Sequence, residues 1–82
     1  MNFGRNLHRL REIKKDTVAT VSSALGISEA TYLSWETGEI EPELNELCLL
    51  AEYFMITVDN MLNTAFDYKG YLHLLRVHGL AV

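Results

Sequence analysis

Three histidines, one cysteine and eleven carboxylates are the side chains of this 82-residue sequence that could carry chemistry, and their spacing assembles no catalytic set. His8, His73 and His78 stand at no metal-ligand spacing from the cysteine or from paired carboxylates. Cys48 falls within an apolar stripe, where a thiol is expected to fill core space rather than attack a substrate, and no histidine follows it in the manner of a nucleophile's base. No catalytic residue, metal site, cofactor or enzymatic activity is therefore expected. What remains is binding, and for binding the layout of charge says more than its sum of −4. Arg5, Arg9, Arg11, Lys14 and Lys15 crowd the first fifteen residues, whereas residues 16–68 contain no lysine or arginine at all. That middle stretch carries Asp16, Glu29, Glu36, Glu39, Glu41, Glu43, Glu46, Glu52, Asp59 and Asp67. A phosphate binder ordinarily concentrates positive charge on its binding face. The run Glu39, Glu41, Glu43, Glu46 is either a solvated face that favours the start of a helix or an acidic surface for a basic protein partner.

The elements that hold these side chains are helical throughout. Phe3, Leu7, Leu10 and Ile13 recur at three- and four-residue steps and predict a helix over residues 3–14, with Arg5, His8, Arg9 and Glu12 turned to solvent. Asp16 or Thr17 can cap a second helix whose inner face holds Val21 and Leu25. Gly26 ends it, because a left-handed backbone is cheap there only for glycine. Ser28 caps a third helix containing Tyr32 and Trp35, which closes at Thr37-Gly38. Pro42 suits the first position of a fourth helix with a stripe of Leu44, Leu47, Leu50, Ala51 and Phe54. Thr57 caps a short fifth around Val58, Met61 and Leu62. The tail repeats the helical period from a cap at Asp67 to a stop near Gly79. No strand pattern competes, and the fold class is all-α.

Length allows one hydrophobic core. No apolar run approaches the roughly 20 residues that cross a bilayer, the amino end lacks the apolar stretch of a signal peptide, and a single cysteine forms no internal disulfide. A cytoplasmic protein is expected. The division expected is a helix-turn-helix domain over residues 1–64 and a helical extension over 65–82. Tyr68, Tyr71, Leu72 and Leu75 of that extension either pack back onto the domain or form a two-fold interface. The interface is the reading adopted, with residues 1–64 expected to fold without the tail.

The informative unit is the pair of short helices joined by Gly26-Ile27-Ser28. Ser22 sits four residues before the glycine, where two crossing helices approach and a large side chain would part them. Ile27 plugs the core beneath the turn, and the outer face of residues 29–34 is left for a partner. With these residues in place, positions 4–62 resemble the helix-turn-helix family of phage Cro and repressor proteins, the Xre type. The resemblance is carried by Gly-Arg-Asn-Leu-His-Arg-Leu-Arg at 4–11, Ser-Ser-Ala-Leu-Gly-Ile-Ser at 22–28, Leu-Ser-Trp-Glu-Thr-Gly at 33–38, then Pro42, Leu47, Ala51, Val58 and Leu62. It implies a five-helix repressor-like domain that binds double-stranded DNA through the major groove as a homodimer and regulates transcription.

It also implies roles for single residues. Arg11 and Glu36 would form a partly buried ion pair locking the third helix to the first. Glu29, Ala30 and Ser34 would face the bases, Ser28 and Thr31 the phosphates, and Thr17 and Val18 the backbone nearby. The sequence departs from the family at Val18, where glutamine is usual, at Glu29 and Ala30, where polar or basic residues are usual, and in the acidic loop Gly38-Glu39-Ile40-Glu41. Compensation is expected from helix amino ends, from Arg5, Arg9, Lys14 and Lys15 on helix one, and from the ability of Glu29 to accept from a cytosine amino group. The rival expectation is the same fold as an antirepressor or DNA mimic.

Overall fold

A computed structural model describes residues 3–62 and 68–77. Six helices follow in order among them: α1 (Phe3–Lys14), α2 (Val18–Leu25), α3 (Glu29–Thr37), α4 (Leu44–Phe54), α5 (Val58–Leu62) and α6 (Tyr68–Val77). The described residues contain no strand, and none of their helices is long and apolar enough to cross a membrane. The expected cap Asp67 and stop Gly79 lie outside the described residues.

One core gathers a side chain or more from every helix. Phe3, Leu7 and Leu10 of α1 meet Val21 of α2, Tyr32 and Trp35 of α3, Leu50, Ala51 and Phe54 of α4, Met61 of α5 and Tyr71 of α6. α1 lies at the centre, against α3, α5 and α6. Its contact with α3 is close enough to explain Gly4: a Cβ there would sit 2.5 Å from the Glu36 carbonyl oxygen and 2.7 Å from that of Trp35. Gly4→Ala is therefore expected to force α1 and α3 apart at a cost of about 2 kcal/mol, read as a lower urea midpoint. An unchanged midpoint would show that the helices part freely.

The polar residue Asn6 interrupts the apolar face of α1 and is buried there, because its side-chain amide donates to the Met61 carbonyl oxygen at 2.8 Å. That bond satisfies an acceptor at the end of α5, where helical partners run out, and ties the first helix to the fifth. On the other side of α1, the Tyr53 hydroxyl donates to Asp16 at 2.7 Å, and Lys14 Nζ lies 3.3 Å from the same carboxylate and 3.8 Å above the Tyr53 ring. This cluster pins the α1–α2 turn to α4. Burial first, and then the hydrogen bond to Asp16, pushes the Tyr53 phenol well above its ordinary pKa.

Four expectations are corrected. Pro42 is not the first residue of α4: the helix starts at Leu44 after Glu43, whose amide donates to the Glu46 carboxylate at 2.7 Å. Glu46 thus supplies the reciprocal half of a capping arrangement, and Pro42 stands outside it. Cys48 is exposed rather than core, since it lies about 100° round the helix from Leu47 and off the buried line. Leu44 is 72 % exposed on the first turn of α4. Tyr71 is only 4 % exposed and belongs to the core, not to a surface awaiting a second subunit. The side chains of Tyr68, Leu72 and Leu75 lie outside those described.

Candidate nucleic-acid interface

Local rules build the α2–turn–α3 unit. Thr17 precedes α2 in an extended conformation, and its Oγ1 accepts from the Thr20 amide at 3.1 Å. Gly26 ends α2 at φ +71°, a left-handed value at which a side chain would be strained. The turn then returns amide protons to α2, with Ile27 N–H donating to the Ser22 carbonyl oxygen at 3.0 Å. Ser28 caps α3: its Oγ accepts from the Thr31 amide at 3.1 Å and donates to Thr31 Oγ1 at 2.9 Å. Both caps satisfy an amide that has no partner in its own helix.

Ser22 is buried at the α2–α3 crossing and donates its hydroxyl to the Ala19 carbonyl oxygen at 3.2 Å. Ser22→Leu is expected to cost about 2 kcal/mol by overpacking, while Ser22→Ala should be nearly neutral. Leucine accepted without loss in thermal unfolding would mean that the helices cross elsewhere.

The inner end of α3 is held by charge. Arg11 Nε donates to Glu36 Oε2 at 2.7 Å and Arg11 Nη2 to Oε1 at 3.1 Å, a two-pronged pair. Arg11 Nη1 also reaches the Asp16 carbonyl oxygen at 3.3 Å, so one guanidinium joins α1, the α1–α2 turn and α3. His8 Nδ1 lies 3.0 Å from Glu36 Oε1. The Glu36 side chain is 6 % exposed and that of Arg11 17 %. Burial opposes the charge on Glu36, but the hydrogen bonds and the positive charge of Arg11 outweigh it and hold the carboxyl below 4.5. Tyr32 is buried, and its hydroxyl interacts with both members of the pair. Burial pushes that phenol far up, and the Glu36 carboxylate adds to the effect.

The predicted contact residues do not all face outward. Thr17, Ser28, Glu29, Ala30 and Thr31 are exposed. Val18 is half-buried and packs against the core. Ser34 is 8 % exposed, and its hydroxyl donates to the Thr31 carbonyl oxygen. The loop after α3 folds back on it, with both Ile40 N–H and Thr37 Oγ1 donating to the Ser34 carbonyl oxygen. In its place Leu33 is 43 % exposed. Sequence reasoning passed over Leu33, although its four-residue step from Glu29 was a signal for a shared face. Glu39 and Glu41 are exposed in the following loop. On α1, Arg5 and Arg9 are exposed, as is Lys15 in the turn that follows, but Lys14 is held in the Asp16–Tyr53 cluster and is withdrawn from the basic face.

The sequence profile of the helix-turn-helix family matches residues 7–59, from α1 into α5. The chain is 37 % identical over 60 residues to the HTH-type transcriptional regulator AnsR of Bacillus subtilis, covering 70 % of this chain and 52 % of that protein. It is 32 % identical over 66 residues to the uncharacterized HTH-type transcriptional regulator YqaE of the same organism, covering 80 % and 50 %. To the HTH-type transcriptional activator BcrR of Enterococcus faecalis it is 29 % identical over 63 residues, covering 77 % and 31 %. The chain thus spans about half the length of two of these relatives and a third of the other. No solved structure matches it. A matched region that takes in the Arg11–Glu36 lock, the Gly26 turn and the Ser28 cap leaves one conclusion: the chain belongs to the Xre-type helix-turn-helix family.

Proposed function

We propose that the protein binds duplex DNA and regulates transcription, acting in the cytoplasm as a homodimer on a pseudo-palindromic site. The observation that carries this reading is the amino-terminal turn of α3. It is capped by Ser28 and exposed at Glu29, Ala30 and Thr31, on a helix that Arg11 and Glu36 brace at its other end. A braced helix with free outer residues is what entry into a major groove requires. The relatives' description as transcriptional regulators agrees with it. Thr17, Ser28 and Thr31 sit at helix amino ends and take the phosphates, where amide dipoles favour an anion without side-chain charge.

Binding to random duplex DNA across a salt series tests the reading. Affinity should fall as salt rises, because neutralised phosphates release counterions. Glu39→Lys with Glu41→Lys should raise affinity for any duplex and steepen the salt slope by up to about 1.8, two repulsions having become two attractions. A wild-type protein that ignores duplex DNA even at low salt would end the proposal. A slope unmoved by the two lysines would place the loop away from the phosphates.

A further inference from the structure

The outer face of α3 is poor in hydrogen-bond donors and apolar at its centre. Glu29, Leu33 and Thr37 follow one another at four-residue steps, Ala30 lies beside Leu33, and all four are exposed. Residues at these steps share one helix face. Ser34 Oγ donates to the Thr31 carbonyl oxygen and Thr37 Oγ1 to the Ser34 carbonyl oxygen at 3.2 Å, while Thr31 Oγ1, which accepts from Ser28, lies round the helix from this face. No lysine or arginine occurs from residue 16 to residue 68. A lone exposed leucine needs no explanation. This one sits midway round an arc bounded by Glu29 and Ala30, on the face that the DNA-binding reading turns toward base edges.

Resting on that reading, we propose that the α3 face recognises pyrimidines: Glu29 accepts a hydrogen bond from a cytosine 4-amino group, while Leu33 and Ala30 pack against thymine 5-methyl groups. The four bases present distinct groups in the major groove, and only these two complement what α3 offers. Guanine shows two acceptors, N7 and O6, which meet no side-chain donor on the Glu29–Leu33–Thr37 face and repel a carboxylate. Adenine offers one amino group, but its N7 acceptor stands beside it against the second carboxylate oxygen. Cytosine brings a donor whose neighbour on its own base is the C5–H rather than an acceptor. Thymine brings the one apolar group in the groove, which a leucine and an alanine can cover.

Selection of sites from a random duplex pool by the full 82-residue chain, at roughly 50 mM salt, tests this. The enriched half-sites should hold a cytosine adjacent to thymines. Replacing those thymines by deoxyuridine removes only the methyl group, and affinity should drop about fourfold per methyl covered. That drop should shrink in Leu33→Ala and further in Leu33→Ser, whose fold circular dichroism would check. Glu29→Gln should move the preferred base from cytosine to adenine, which glutamine pairs in two-pronged fashion. Duplex binding that is indifferent to deoxyuridine, or enrichment of guanine on the strand read by α3, would overturn the pyrimidine proposal and leave DNA binding standing. Failure to retain any duplex would overturn both.

Discussion

Arg11→Met is expected to cost about 3 kcal/mol of folding free energy, the lower end for orphaning a buried charge, because water still reaches the Arg11 side of the pair. The loss arises from what the substitution leaves behind. Glu36 is 6 % exposed, and without the guanidinium its carboxylate has no full positive charge beside it, His8 at 3.0 Å being charged only when protonated. Arg11→Met combined with Glu36→Leu should recover much of the loss, since an apolar pair strands no charge. Urea titrations followed by Trp35 fluorescence would measure both, Trp35 being the one tryptophan and a core residue. Equal destabilisation by the single and double variants would deny the coupling. The pH dependence has a definite sign. Glu36 is held below its ordinary 4.5, so the pair's stabilisation is present above that value. It is lost as pH falls through the depressed folded value. The difference between wild type and Arg11→Met should therefore shrink in acid, as Glu36 takes up a proton.

A comparable loss, about 3–4 kcal/mol, is expected for Tyr71→Ala. Tyr71 comes from α6, yet it is 4 % exposed in the same core as Phe3 and Phe54, and α6 lies against α1. Its burial and the nearby Asp16 carboxylate push the phenol above its ordinary pKa. A chain this size has only about 4–12 kcal/mol of stability to lose, so removal of the ring should bring unfolding close to ambient conditions. Truncation after Thr64 should do the same rather than release a stable monomer. An unchanged urea midpoint for Tyr71→Ala, together with dissociation of a dimer in analytical ultracentrifugation, would return Tyr71 to a subunit interface.

The caps and turns of the motif were legible residue by residue. Thr17, Gly26, Ser28 and Gly38 stand where short-range rules put them, because each answers to its own backbone: a hydroxyl three residues before an orphan amide, a glycine where φ is positive. The span of α1 and the buried pattern of Leu7, Leu10, Val21, Tyr32 and Trp35 were equally legible, since helical period and hydrophobicity act along one helix at a time. The Arg11–Glu36 pair followed from resemblance, not from spacing: 25 residues separate the partners, and the geometry confirms them at 2.7 Å.

The remaining features depended on how helices cross, which no periodicity encodes. Ser34 was expected to face the bases, but it is buried with its hydroxyl on the Thr31 carbonyl oxygen, and its neighbour Leu33 is exposed instead. Asn6, polar on the apolar face of α1, donates to a carbonyl oxygen 55 residues away, that of Met61. Lys14 counted toward a basic face until Asp16 and Tyr53 enclosed it. Tyr71 and Cys48 exchanged the places expected of them, the tail residue entering the core and the mid-chain thiol leaving it. The sequence by itself determined where α1, α2, α3 and α5 begin and which turn makes the motif, because those terms are summed over neighbours along the chain. The tertiary structure decided which polar groups are satisfied across helices and which side chains remain for DNA, because burial is conferred by whatever segment packs on top.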